Sequence, residues 1–290
     1  MRRHDTCARA LLTLAALAIL LPLSASATGG RKLVVYGLTA DQQLIRFRED
    51  RPRLHRAVGP ITNLSGDTSL VGIDFRPATG DLYGLGNAGG IYTLDVDTAE
   101  ATFVSQLNVN GQPLALDGAS FGVDFNPTVD RLRVVSNTGQ NLRINVDTGV
   151  AIVDGGLNFP GTPPAPNTPA LGLTAVAYTN NDADATTGTT LFDLDTANDQ
   201  VVIQLPPNAG TLTLTGKLAP AQDVALDTGF DIWSDLDRDG RTVAVRALAA
   251  LTTDATRLYE IDPLTGAADL LGRFRSDTQV IGLAIALDQD

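Results

Sequence analysis

Ser120-Phe121-Gly122-Val123-Asp124-Phe125 can be laid over four other stretches of the chain. These are Leu70-Val71-Gly72-Ile73-Asp74-Phe75, Thr174-Ala175-Val176-Ala177-Tyr178, Thr228-Gly229-Phe230-Asp231-Ile232 and Ile281-Gly282-Leu283-Ala284-Ile285. With Gly72, Gly122, Ala175, Gly229 and Gly282 in register, the spacings are 50, 53, 54 and 53 residues. A repeat of that period is in the range of propeller blades.

Each of the first four units runs through a turn into a second apolar strand: Leu82-Tyr83-Gly84-Leu85, Leu132-Arg133-Val134-Val135, Leu191-Phe192-Asp193-Leu194 and Thr242-Val243-Ala244-Val245. A third strand and a turn with Asp followed by Thr or Gly come next, in 91–98, 142–149 and 258–266, and then a short fourth strand such as Thr102-Phe103-Val104 or Asp269-Leu270-Leu271. Alternating apolar residues between Gly, Pro and Asp turns, without helical periodicity, give four-stranded antiparallel blades. The fifth unit has one strand, and its missing strands stand at the front: Leu33 to Leu38, Gln43 to Phe47 and Leu54 to Val58. The expected fold is therefore all-β: a five-bladed β-propeller closed by pairing the C-terminal strand, Val280 to Leu287, with the N-terminal blade. Closure removes two exposed sheet edges. An open two-sheet sandwich is the alternative, and it does not explain the permuted ends. With a single Trp, Trp233, the repeat is of neither the WD nor the kelch type.

Ahead of the repeat, Arg2, Arg3 and Arg9 precede an apolar run from Ala10 to Leu23, and Ala25-Ser26-Ala27 follows. That is the order of a secretory signal peptide, with cleavage expected before Thr28. Residues 1–27 are then the signal and 28–290 a single propeller domain. The apolar run is short for a membrane span, and no later stretch is apolar enough for one, so the mature protein is expected not to be transmembrane. An uncleaved anchor is the competing reading. The expected location is the periplasm or the medium.

Composition excludes several chemistries. Of two histidines, His4 and His55, the first falls in the signal, as does the single cysteine, Cys7. The mature chain is left without a disulfide, a thiolate nucleophile or a histidine-rich zinc site. It carries 18 basic against 32 acidic side chains, a net charge of −14. Such a surface disfavours nucleic acid, which needs a basic face. Glu49, Glu100 and Glu260 are the only glutamates, so the acidity is aspartate, a residue of turns and calcium loops.

Residues 122–127 (Gly-Val-Asp-Phe-Asn-Pro), 130–139 (Asp-Arg-Leu-Arg-Val-Val-Ser-Asn-Thr-Gly) and 141–149 (Asn-Leu-Arg-Ile-Asn-Val-Asp-Thr-Gly), with Gly229-Phe230-Asp231-Ile232 and Val35-Tyr36-Gly37-Leu38, carry a resemblance. The chain resembles, over nearly its whole mature length, a bacterial family of secreted, propeller-like proteins known as domain of unknown function 4394. The resemblance implies the fold and the export. It implies no reaction, because the family has no assigned activity to carry over.

Three groups of residues are candidate sites. Arg131, Arg133 and Arg143, flanked by Asn141 and Asn145, could place guanidinium forks and amides on one strand face, which suits a carboxylate or sugar ligand. Asp124, Asp130 and Asp147 are near enough in sequence to pair with those arginines instead. Asp74, Asp124 and Asp231 share one place in three channel-lining strands. As catalytic candidates they would be the carboxylates of glycosidic hydrolysis, and more economically they are repeat-encoded hydrogen-bond acceptors for a neighbouring turn. Asp235-Leu236-Asp237-Arg238-Asp239-Gly240 begins like a calcium loop, with Asp235, Asp237 and Asp239 converging on one cation. The twelfth position is Arg246 where a bidentate Glu is wanted, so a plain hairpin turn competes.

Two further stretches complete the reading. Arg46, Arg48, Arg51, Arg53 and Arg56, with His55, make the one basic run, either a guard on an outer edge or a contact to an anionic surface. Five prolines between Pro160 and Pro169 predict an extended surface loop outside any ladder. The function expected first is a secreted, non-enzymatic module binding a small molecule, glycan or envelope partner, with calcium the one cofactor the sequence suggests. A carboxylate-dependent glycan hydrolase and a structural envelope protein are the alternatives.

Overall fold

A computed structural model describes residues 32–290 except 164, 185, 219–222, 237–241, 288 and 290, and the backbone alone at 236. The expected signal segment, 1–27, lies outside the described residues. Blade one takes β1 (Val34–Thr39), β2 (Gln43–Arg48) and β3 (Arg56–Pro60). Blade two is β4 (Leu70–Phe75), β5 (Leu82–Gly86), β6 (Gly90–Leu94) and β7 (Ala101–Gln106). A small hairpin, β8 (Asn108–Val109) with β9 (Gln112–Pro113), leads to blade three, made of β10 (Phe121–Asn126), β11 (Arg131–Ser136), β12 (Asn141–Ile144) and β13 (Ala151–Val153). A second hairpin, β14 (Asn158–Phe159) with β15 (Thr168–Pro169), leads to blade four, made of β16 (Leu173–Tyr178), β17 (Leu191–Asp195), β18 (Gln200–Gln204) and β19 (Leu212–Lys217). Blade five is β20 (Gly229–Leu236), β21 (Thr242–Thr252), β22 (Thr256–Ile261) and β23 (Ala268–Arg273).

β24 (Val280–Ile285) then returns to blade one and pairs antiparallel with β1, Gly37 facing Leu283. Its sheet has the order β24-β1-β2-β3, so the last strand is the innermost strand of the first blade, as the permuted ends require. The five-bladed ring is closed.

Burial follows from that arrangement. Five apolar clusters fill the five gaps between neighbouring blades. The one between blades five and one joins Leu248, Ala250, Leu258 and Phe274 to Val35, Ile45 and Phe47. Each blade is covered on both faces, so the inner strands read as continuous apolar runs and lose the in–out alternation of a half-buried sheet. The outermost strands keep exposed side chains, as in β23 with Leu270 58% exposed.

The repeated glycines hold the innermost strands together. A Cβ at Gly122 would lie 2.6 Å from the Val176 nitrogen, and one at Gly229 would lie 2.8 Å from the Gly282 carbonyl carbon. These neighbours are backbone and cannot swing away.

Two expectations need correcting. Thr242 to Val245 does lie on the second strand of blade five, but that strand is the 11-residue β21, and its part pairing with Gly229 to Ile232 is Ala247 to Ala250. The proline-rich link does join a ladder, because Thr168 and Pro169 pair with Phe159 and Asn158. Pro169 ends that ladder and needs no donor there; the Ala170 N–H next to it donates to the Leu157 carbonyl at 2.9 Å.

Candidate functional site

The inner strands β4, β10 and β20 carry Asp74, Asp124 and Asp231 two residues after the repeated glycine; β16 and β24 carry Ala177 and Ala284 at that place. The ring at the axis is thus Asp, Asp, Ala, Asp, Ala. One oxygen from each aspartate lies within 4.8 Å of the others, and all three side chains are buried.

Their hydrogen bonds follow the repeat. Asp74 Oδ2 accepts the Phe125 N–H at 2.7 Å, Asp124 Oδ2 the Tyr178 N–H at 2.9 Å, and Asp231 Oδ2 the Ile285 N–H at 2.5 Å, each donor lying on the next blade. Where the preceding blade has alanine, the aspartate also takes its own successor's N–H: Phe75 to Asp74 Oδ1 at 2.7 Å and Ile232 to Asp231 Oδ1 at 2.6 Å. Asp124 is preceded by Asp74, which already holds the Phe125 N–H. Asp124 Oδ1 therefore accepts no hydrogen bond from the described residues. The reading of a repeat-encoded acceptor describes this geometry, with the acceptor serving the neighbouring inner strand instead of a turn.

Burial, reinforced by the charge of the other aspartates, holds the Asp74 and Asp124 carboxyls well above the ordinary carboxylate range. Burial alone pushes Asp231 up to about 7, against the pull of its two backbone donors. Loss of hydration, which penalises the charged form, is the common cause, and like charges add to it at Asp74 and Asp124.

Above the aspartates the axis opens into a depression of about 310 Å³, including the space open at its mouth, rimmed by Tyr178, Asn180, Asn181 and Trp233. Asn180 is 4% exposed, and its Oδ1 accepts the Asp182 N–H at 3.1 Å. That fixes the amide's orientation and leaves Nδ2 buried without a partner. The Trp233 Nε1 is also buried without one. Neither residue was found by reading the sequence. Asn180 and Trp233 each occur once, where other copies have Pro77, Pro127, Arg76 or Asn126, so only departure from the repeat could have marked them.

The arginine group is placed differently. Arg133 and Arg143 face each other across β11 and β12 and converge on Asp154, with Arg133 Nη1 at 2.7 Å and Arg143 Nε at 2.6 Å. Arg133 is 1% exposed and also donates to Asn141 Oδ1, Asn208 Oδ1 and the Tyr178 hydroxyl. Arg131 donates to the carbonyls of Val129 and Asp130, and Asn145 Oδ1 accepts the Asp147 N–H within a turn. Asp130 and Asp147 pair with Arg76 of blade two at 2.6 and 2.8 Å, not with the arginines near them in sequence. Arg133, Arg143, Asn141 and Asp154 are thus joined to one another, and each guanidinium nitrogen of Arg133 already donates.

Asp235 is exposed on β20 opposite Ala244; Asp237 and Asp239 lie outside the described residues, so the calcium loop falls there with them. Arg46, Arg48, Arg51, Arg53 and Arg56 are exposed on and around β2 and β3, while His55 is buried with Nδ1 2.9 Å from the Pro52 carbonyl. Among the described residues no helix is long and apolar enough to cross a membrane.

Fold and axis together define the class: a five-bladed propeller with an acidic knot of carboxyls at one end of its axis. The chain belongs to the family described as Domain of unknown function (DUF4394), which matches residues 43–284. No curated protein matches the sequence. Among solved structures it is similar to a protein of unknown function from Bacteroides thetaiotaomicron, at 14% identity and a TM-score of 0.44, covering 84% of this chain and 58% of that one. It is also similar to an auxiliary nutrient binding protein from Bacteroides ovatus, at 14% identity and a TM-score of 0.38, covering 66% of this chain and 48% of that one. The chain thus spans about half the length of both, and likenesses this distant carry no argument about function.

Proposed function

We propose that the protein is an exported, non-enzymatic binding module whose ligand sits at the axial depression, over Asp124 Oδ1 and between Asn180 and Trp233. The observation that carries the reading is that the residues lining one opening include two, Asn180 and Trp233, whose buried side-chain nitrogens have no partner. A buried polar atom left unpaired costs about 1–3 kcal/mol, and two donors with a free carboxylate oxygen around one depression are groups a ligand would satisfy. Export is supported by the order of residues 2–27, basic then apolar then small. Within the depression the enclosed space, about 20 Å³, has room for one or two waters, which suits one small protruding group of a ligand.

The hydrolase reading fits less well. Glycosidic hydrolysis sets two carboxyl groups about 5–9.5 Å apart on either side of a sugar bond. Here five of the six carboxyl oxygens already accept a backbone N–H, and the three groups bring one oxygen each within 4.8 Å of the others in place of flanking a gap.

Trp233 is the chain's one tryptophan and lines the depression, so its fluorescence reports on this site alone. Titrating the purified protein with a panel of glycans and small organic acids, with hydrolysis followed in the same samples, should give a saturable fluorescence change without turnover. Turnover that disappears in Asp124→Asn would replace this reading with the hydrolase.

A further inference from the structure

The proposed binding site contains an arrangement of oxygens that points to the class of its ligand. Calcium binds oxygen at 2.3–2.6 Å, so oxygens on opposite sides of one ion stand about 4.6–5.2 Å apart. The ligand oxygens of Asp74, Asp124 and Asp231 lie within 4.8 Å of one another. The backbone bonds from Phe75, Phe125, Tyr178, Ile232 and Ile285 fix the three carboxyls before any ion arrives. Each bond uses one lone pair of its oxygen, and Asp124 Oδ1 keeps both of its own.

An acidic cluster alone would not make a site. The second observation is Asn180, which is 96% buried with its Oδ1 tied to the Asp182 N–H and its Nδ2 without a partner on the same depression. An amide N–H₂ does not ligate a cation; it needs an acceptor. Water, or a carboxylate or hydroxyl oxygen bound to the outward face of an ion at the aspartates, is such an acceptor, and Trp233 Nε1 offers it a second donor.

We propose that Asp74, Asp124 and Asp231 form a divalent-cation site, fitted to calcium, in which Asn180 and Trp233 hold the oxygen ligand on the ion's open side. The proposal rests on the axial depression being the binding site and names the chemistry of what binds there. It is separate from the loop at Asp235, Asp237 and Asp239, which shares none of the three ligands. Magnesium is disfavoured because it dehydrates reluctantly and demands near-ideal octahedral geometry at 2.0–2.1 Å, to which carboxyls already held by backbone bonds adjust poorly.

The test is calorimetric titration of the chelator-stripped full chain with calcium chloride and with magnesium chloride, Trp233 fluorescence being followed in parallel. One calcium per chain should bind at least tenfold more tightly than magnesium, with a fluorescence change at the same stoichiometry. Asp124→Asn keeps an oxygen for the Tyr178 N–H and replaces only the free one, so it should lose at least tenfold in calcium affinity while melting normally in chelator. Asn180→Ala should retain the ion to within a few-fold and alter the fluorescence response. The variant with Asn at 235, 237 and 239 should bind like the parent at this site. Absence of heat and fluorescence change at millimolar calcium in folded parent protein overturns the proposal, as does equal affinity for both ions or loss of binding in the 235, 237, 239 variant. If calcium fails while organic ligands still perturb Trp233, the binding site stands and the ion is wrong. Failure of both removes the site.

Discussion

Arg133 and Arg131 sit two residues apart on one strand, yet their substitution should have very different consequences. Arg133 is buried in a network with Asp154, Asn141, Asn208 and Tyr178. Arg133→Met leaves Asn141 Oδ1 and Asn208 Oδ1 without that donor and strips one of two guanidinium partners from Asp154, itself 4% exposed. Breaking such a pair costs about 3–5 kcal/mol, which urea unfolding should show as a lower midpoint at unchanged slope. Arg131→Ala removes bonds to two backbone carbonyls near the surface and should stay within about 0.5 kcal/mol of the parent. The sequence showed that Arg133 and Arg143 could share a face, because strand period two allows it, and the register that pairs them across β11 and β12 makes it so. It did not show that Asp154 stands between them, since that acceptor follows the blade's last strand and is placed by the turn of the sheet.

At the scale of strands, the second-strand reading of Leu191-Phe192-Asp193-Leu194 was legible, but the environment of Asp193 was not. Alternation suggests that an aspartate among apolar residues faces water. In a propeller both faces of a blade are covered, and Asp193 pairs with Val176 and Val202, which lie in the cluster between blades three and four. It is 0% exposed with both oxygens unpartnered, and burial holds its carboxyl well above the ordinary range. A carboxyl raised in the folded state binds its proton there more tightly than in the unfolded chain. Its contribution is complete below the ordinary aspartate value and is lost as pH rises toward the folded one. Asp193→Asn removes that dependence. Its melting temperature should match the parent's below about pH 4 and exceed it by several degrees at about pH 8. The inner strands show the opposite case: Gly-x-Asp repeats in three copies, so the axial carboxyls could be found by counting, whereas Asn180 and Trp233 stand in single copies and emerge only once the ring brings blades four and five to one opening.

The whole molecule depends on one strand pair, which the permuted ends announced because a final unit of one strand needs three others to complete it. Deleting 281–290 removes nearly all of β24, uncovering β1 and the inner flanks of β4 and β20, which β24 packs against. Stability in a repeat fold comes largely from neighbour interfaces, so the truncated chain should unfold at lower denaturant or aggregate; a variant as stable as the parent would mean that closure contributes nothing. The same pairing sets a timetable for the chain at birth. The Val34 N–H donates to Gln289 Oε1, a partner 255 residues further on. At roughly 5–20 residues per second of synthesis, about 10–50 s separate the emergence of β1 from that of the strand that covers it. Through that interval four blades can assemble on the ribosome while β1 waits with a bare edge, open to any other strand that arrives first. Crowded polysomes, where several copies wait side by side, are therefore where this ring is most exposed to closing on the wrong chain.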